Sequence, residues 1–157
     1  MSYEEPAGRP RRYLTAGEER QPIHAFAATT GLVFLLAGVA GFIPGITGNH
    51  DELRFAGPDS EAELLGLFEV SVLHNLVHLL FAVGLLAAAR TSWSRLYLIG
   101  GGIAYLGVLV FGLLVEQDSD ANFLLVNDAD NLLHLGLGLV MIALGSGLSR
   151  DRIARAR

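Results

Sequence analysis

Cysteine is absent from the 157 residues, so neither a disulfide framework nor a thiolate metal site can form, and cysteine usage says nothing about redox compartment. Charge is scarce: 17% of residues are charged, against roughly 25% in soluble domains. What charge there is sums to -5, which excludes a basic nucleic-acid-binding surface. No Gly-rich phosphate loop, zinc-finger spacing or thiol nucleophile occurs, and soluble nucleotide enzymes are thereby excluded. Apolar residues are plentiful instead. They make up 52% of the chain, and the mean hydropathy is +0.45. The length fits one small domain, and the composition fits a lipid bilayer.

A helix crossing the hydrocarbon core needs about 20 apolar residues at 1.5 Å each. Four stretches qualify, from about Ile23 to Ile46, Leu64 to Ala89, Leu96 to Val115 and Asp128 to Leu148. Backbone polar groups in lipid must be satisfied within the protein, and the alternation of a barrel is missing, so the spans are predicted to be helices. The expected fold is all-α, a four-helix transmembrane bundle over residues 23–149, flanked by a polar tail (1–22) and a basic tail (150–157).

Arginine sets the orientation, because positive flanks stay in the cytoplasm. Arg9, Arg11, Arg12 and Arg20 precede the first span, Arg90 and Arg95 join the second to the third, and Arg150, Arg152, Arg155 and Arg157 follow the fourth. Only Arg54 lies on the other side, where the loops are acidic. Both termini are expected in the cytoplasm of a multi-pass protein of the bacterial cytoplasmic membrane. The long leader mixes acidic groups with arginines, unlike a cleaved signal peptide, and reads as a disordered or surface-lying tail.

Helices in lipid associate through small residues and buried hydrogen bonds. The pairs Ala27/Gly31, Ala37/Gly41, Gly84/Ala88, Gly100/Ala104 and Ala143/Gly147 have the required spacing. Pro44, Gly45 and Gly48 are predicted to end the first helix. Ser60 with Glu63 resembles a capping box and predicts a second helix of about 30 residues that begins outside the membrane. Trp93 and Tyr97 fit the inner interfacial belt.

Ionisable groups at membrane depth are costly and therefore point to function. Ser71, His74, Asn75 and His78 fall on one stripe of the second span, and Asn127, Asp130, Asn131 and His134 on a similar stripe of the fourth. One motif generates both: HNLVHL from His74 and DNLLHL from Asp130. Both segments run inward, which predicts a parallel repeat of two helix pairs with the stripes facing each other. Counted from the inner arginines, His134 and His74 each lie sixteen residues out and His78 twelve. His134 is then level with His74 rather than with its motif counterpart, and the choice of partner stays open.

Four readings of these residues follow. The leading one is a structural or accessory protein, non-enzymatic and with no catalytic residue, whose His74, Asn75, His78, Asp130, Asn131 and His134 form a buried network joining the second and fourth helices. The second is a metal centre with His74, His78 and His134 as candidate ligands and Asp130 in support. The third is haem b held by one histidine from each helix; either cofactor would make a redox protein. The fourth is a proton-coupled small-solute permease, with Glu69 as a candidate proton acceptor. No cofactor is the default. His24 and His50 are read as solvated, as are the acidic loops, whose spacing is unlike an EF-hand. The lipid bilayer is the expected partner, nucleic acid is not, and a homo-oligomer or a membrane-protein partner is left open.

The stretches AGVAGFIPGITG, LLGLFEVSVLHNLVHLLFAVGLLAAAR and DNLLHLGLGLVMIALG resemble the actinobacterial membrane family labelled domain of unknown function 4383, over roughly residues 23 to 149. The resemblance implies a small four-span membrane protein and carries no activity. Complete use of Arg over Lys agrees with a high-GC genome. His74, Asn75, His78, Asn131 and His134 come across as motif positions only. Asp130 stands where the first motif has His74, which departs from a symmetric four-histidine site.

Overall fold

A computed structural model describes residues 21–148. Except for Gln21 and Pro22, the two expected tails lie outside the described residues. Helix α1 (Pro22–Ala40) starts with proline at its first position, where the missing N–H costs no hydrogen bond. It ends at Gly41, before Pro44 and Gly45, and Gly45 takes a φ of +90°.

The next thirty residues differ from the expectation. Ser60 and Glu63 do not open a helix. Ser60 is buried, its hydroxyl donates to the Val70 carbonyl at 2.7 Å, and its oxygen accepts the Arg54 N–H at 3.1 Å. Glu63 lies in a small antiparallel sheet, β1 (Thr47–Gly48), β2 (Glu63–Leu64) and β3 (Phe68–Glu69), in the order β1-β2-β3. The cause is local. Leu65 and Gly66 both have positive φ, +56° and +68°, and two successive residues of that kind turn a strand back on itself. The apolar run LLGLFEV conceals this turn from a hydropathy reading. Ala62, Leu64 and Val70 form a small core under the sheet, against Ala37 and Ala40 of α1.

Helix α2 (Val72–Phe81) begins where Ser71, in extended conformation, accepts the His74 N–H at 3.1 Å. It breaks at Ala82 and resumes as α3 (Gly84–Ala87). The Tyr97 hydroxyl donates to the Phe81 carbonyl at 2.9 Å, satisfying an acceptor at the break. Helix α4 (Thr91–Leu114) follows, and after a second loop comes α5 (Asp128–Gly147). A capping box starts α5: the Asn127 side chain accepts the Asp130 N–H, and the Asp130 carboxylate accepts the Asn127 N–H.

Three helices, α1, α4 and α5, are long and apolar enough to cross a membrane. The apolar helical stretch Val72–Ala87 is shorter, about 24 Å at 1.5 Å per residue. Large apolar side chains lie on the outer surfaces of the helices: Leu114 is 80% exposed, Leu86 76% and Leu132 73%, a distribution that would aggregate in water. Inside, Ile23, Ala27, Phe34, Leu98, Tyr105 and Met141 make the central core.

Close packing uses some of the expected small residues and not others. A Cβ on Gly31 would lie 2.8 Å from the Gly84 carbonyl carbon; Gly102, outside the expected pairs, is as tightly packed, its Cβ position lying 2.7 Å from the Gly138 carbonyl oxygen. Gly100 and Gly147, by contrast, face open space.

Many of these contacts recur at fixed offsets. Gly31/Gly102, Phe34/Tyr105 and Gly41/Gly112 are each 71 residues apart, while Asn75/Asn131 and His78/His134 are each 56 apart. A Cβ at Gly41 would collide with the Asn75 side-chain amide, and one at Gly112 with the Asn131 amide. Phe34 stacks on His78, Tyr105 meets His134 edge-on, and Phe34 stacks on Tyr105 with ring centroids 5.2 Å apart.

Candidate metal centre

The first turn of α2 and the first turns of α5 bring His74, Asp130 and His134 together. All three are at least 95% buried, and one ligand atom from each lies within 4.8 Å of the other two. The loop between α4 and α5 fixes the His74 ring. Its Nδ1 lies 3.0 Å from the Leu125 carbonyl oxygen, so Nδ1 carries the proton and donates, and Nε2 presents its lone pair. A ligating histidine is commonly oriented in this way by a carbonyl behind it. Leu125 is buried and has a φ of +53°, a region that costs a branched residue energy and is held only by its surroundings. Asn122 supplies them. Its amide donates to the Gln117 and Val126 carbonyls at 3.0 and 3.2 Å, and its oxygen accepts the Val126 N–H at 3.1 Å.

Asp130 is positioned by the cap. One carboxylate oxygen accepts the Asn127 N–H at 3.2 Å, which leaves the other for a ligand. His78 is not one of the three clustered groups. Its ring meets His74 with centroids 4.7 Å apart and stacks on Phe34 at 5.9 Å.

The expected hydrogen-bonded His/Asn network takes a different form here. Both amide atoms of Asn75, Oδ1 of Asn131, and Nδ1 of His78 and His134 are buried without a hydrogen-bond partner among the described residues. Ring contacts, not hydrogen bonds, link α2 to α5 through Phe34 and Tyr105. A buried polar atom left unpaired costs about 1–3 kcal/mol. Porphyrin does not fit between His78 and His134: the Phe34 and Tyr105 rings lie in contact with them and with each other, and the space that His74, His78, Tyr105 and His134 line holds about 30 Å³, room for one water.

The chain matches a family model described as "Domain of unknown function (DUF4383)" over residues 24–146. It belongs to that family. Neither a curated protein nor a solved structure matches it. The matched region, residues 24–146, holds α1 to α5 almost whole, together with the loops that follow α1 and α4 and the His–Asp–His cluster.

The remaining candidates sit elsewhere. Glu69 is not inside a helix but in β3, directly opposite Glu63. Its carboxyl is pushed above the ordinary range by partial burial first, then by the negative charges of Glu63 and Asp118. His24 pairs with the Thr91 hydroxyl at 2.9 Å near the opposite end of the helices, and His50 lies 3.2 Å from the Phe42 carbonyl oxygen. Sequence reasoning missed Leu125 and Asn122, because neither a carbonyl in a left-handed turn nor the asparagine that braces it has a periodic signature.

Proposed function

We propose that this protein is a four-pass membrane protein made of two parallel helical hairpins, α1 with α2–α3 and α4 with α5, and that the interface of the hairpins binds a divalent transition-metal ion through His74, Asp130 and His134. The recurrence of contacts at offsets of 71 and 56 residues supports the repeat. Extended residues 70–71 ahead of α2 lengthen the short second crossing by roughly 7 Å at about 3.3 Å each. The arginine distribution supports cytoplasmic termini in a bacterial cytoplasmic membrane.

One observation carries the metal reading: two imidazoles and a carboxylate, all buried in an apolar bundle, with donor atoms within 4.8 Å of one another. Ligands bonded at about 2.1 Å to a tetrahedral ion stand about 3.4 Å apart, and rotation of the His134 side chain toward the fixed His74 and Asp130 would supply that contraction. Two nitrogens and one oxygen suit zinc, cobalt, manganese or ferrous iron. Three protein ligands leave coordination positions open, the pattern of a working site rather than a purely structural one. The ion would also answer the cost of burying Asp130, since a carboxylate in a dry interior needs a positive partner.

Metal analysis of tag-free protein tests this. About one equivalent of a divalent metal is expected after loading and dialysis, and His74→Ala or His134→Ala should abolish it. Loading should also raise the thermal midpoint of the native chain, since an ion at 100 times its Kd adds about 2.7 kcal/mol, and leave the variants unmoved. Sub-stoichiometric metal in the native chain, or unchanged binding in both variants, contradicts the reading.

A further inference from the structure

At the end of the helices opposite the His–Asp–His cluster, a cleft of about 540 Å³ opens between α3 and the first turns of α4. Short side chains leave it open. Helix α3 lasts only four residues, an Ala87-Ala88-Ala89 run closes it, and Arg90 leaves in extended conformation to begin α4. Ala87 and Ala89 therefore line the cleft with methyl groups alone, between Leu86 on one wall and Leu96 and Tyr97 on the other. Leu86, Trp93 and Leu96 are exposed at its rim.

The acceptors along this wall are already engaged. The Ala87 carbonyl accepts the Arg90 N–H at 3.3 Å and the Ser94 hydroxyl at 3.1 Å, and the Arg90 carbonyl accepts the Ser94 N–H at 2.9 Å. The Tyr97 hydroxyl is committed to the Phe81 carbonyl. What is left is the guanidinium of Arg90, the one charged residue of the lining, and the indole N–H of Trp93, both of them donors that cannot accept a hydrogen bond. Arg90 is exposed and has no carboxylate partner among the described residues. The chain carries no carboxylate at all between Glu69 and Glu116.

We infer that this cleft binds an anionic phospholipid, with one acyl chain along the apolar walls and the phosphate at Arg90 and Trp93. Charge complementarity selects the occupant. A phosphate supplies the acceptors that the wall lacks, and its oxygens match the fork of an arginine. A choline or ethanolamine head adds an ammonium that meets no carboxylate among the described residues at this end, so a head with net negative charge is preferred. The volume lies within the range of small-molecule sites, about 300–1,000 Å³. It takes part of one chain, and the open rim leaves the rest to the bilayer. Tryptophan is favoured at the level of lipid headgroups, where its ring is in apolar surroundings and its N–H meets polar ones. The inference is independent of the metal reading and rests on the four-crossing reading only in placing the Arg90–Arg95 connection at the membrane surface.

Trp93 is the chain's one tryptophan, so quenching of its emission by lipids brominated on the acyl chain reads the cleft directly. The full chain is reconstituted in phosphatidylcholine vesicles holding a small fraction of brominated phosphatidylglycerol, and in the converse mixture where phosphatidylcholine carries the bromine. Phosphatidylglycerol is expected beside Trp93 at least about fivefold above its share of the bilayer, the factor that one arginine near the surface contributes. Arg90→Gln should remove this excess. Ala89→Leu, at an exposed position where a larger side chain is tolerated, should reduce it by filling the cleft. Arg95→Gln, which removes the same charge outside the cleft, should leave it unchanged. An excess that survives either Arg90→Gln or Ala89→Leu, or a loss in Arg95→Gln equal to that in Arg90→Gln, would overturn the inference. Quenching by both lipids in the bulk ratio would overturn the site and leave the crossings standing, whereas no quenching by either would remove both.

Discussion

At the level of single residues, the cluster shows how much depends on atoms with no distinctive side chain. His74 is aimed by the Leu125 carbonyl, and Leu125 is held in its unfavourable conformation by Asn122. The histidines and Asp130 were legible in the sequence, because ionisable groups on a helical stripe within apolar runs stand out. Their support was not: a main-chain carbonyl belongs to every residue, and an asparagine in a loop is the commonest of loop residues. Glu69 was misplaced for a related reason, since a carboxylate at the end of an apolar run reads as part of a span.

In the structure, Glu69 faces Glu63 across two strands, where like charges directly opposite destabilise by a few tenths of a kcal/mol to about 1 kcal/mol. Its raised pKa means that the folded state holds the proton more tightly than the unfolded state, so this group favours folding in acid and opposes it as pH rises through the raised value. Glu69→Gln should therefore raise the thermal midpoint at pH 7.5, by an amount equivalent to roughly 0.5 kcal/mol on the same cross-strand scale. The gain should vanish as pH falls below the ordinary glutamate value of 4.5. Thermal unfolding in detergent at the two pH values checks it, and an equal gain at both would show that charge is not the cause.

Among the elements, the start of α2 was the principal misreading. Ser60 and Ser71 both precede apolar sequence and both suit a helix cap. The turn at Leu65 and Gly66 decides between them by folding residues 63–69 into strands, so the helix waits for Ser71. The matching of α1 to α4 is legible in the sequence. GLVFLLAGVAG from Gly31 and GIAYLGVLVFG from Gly102 share a glycine, an aromatic three residues on, a leucine next to it and a final glycine. Their partner asparagines were harder to connect, because Gly41 precedes Asn75 by 34 residues and Gly112 precedes Asn131 by 19, the outer loops differing in length.

Each glycine accommodates an asparagine amide where any Cβ would intrude. Gly41→Ala and Gly112→Ala are each expected to lower stability by about 1–3 kcal/mol, the usual range for overpacking. Asn75→Ala should recover part of the loss in the Gly41→Ala background, because the clash then disappears, whereas Asn131→Ala should not. A double-mutant cycle on thermal or denaturant midpoints measures the coupling. Additive effects in the first pair would mean that the two residues do not meet as described.

For the whole molecule, the proposed pair of hairpins puts both acidic loops at one end and the Arg90–Arg95 connection at the other. The loops dock on each other there: the Gly57 N–H donates to the Phe123 carbonyl at 3.3 Å, and the Asn127 amide donates to the Leu67 carbonyl at 3.0 Å. With no native cysteine, single cysteines introduced at Asp59, Ser92 and Asp120 report sidedness directly. Four crossings predict that an impermeant maleimide added to intact cells labels the first and third positions and reaches the second only after lysis. Labelling of positions 59 and 120 from opposite sides would mean that α2–α3 does not cross.

The central claim is that this scaffold exists around an ion, and X-ray absorption at the zinc edge of tag-free, zinc-loaded protein is its most direct test. A first shell with two imidazole nitrogens at about 2.0–2.1 Å and carboxylate or water oxygen at about 2.0–2.2 Å, losing one imidazole in His134→Ala, is the predicted result. A shell of oxygens alone, or an imidazole signal unchanged by that substitution, would contradict it.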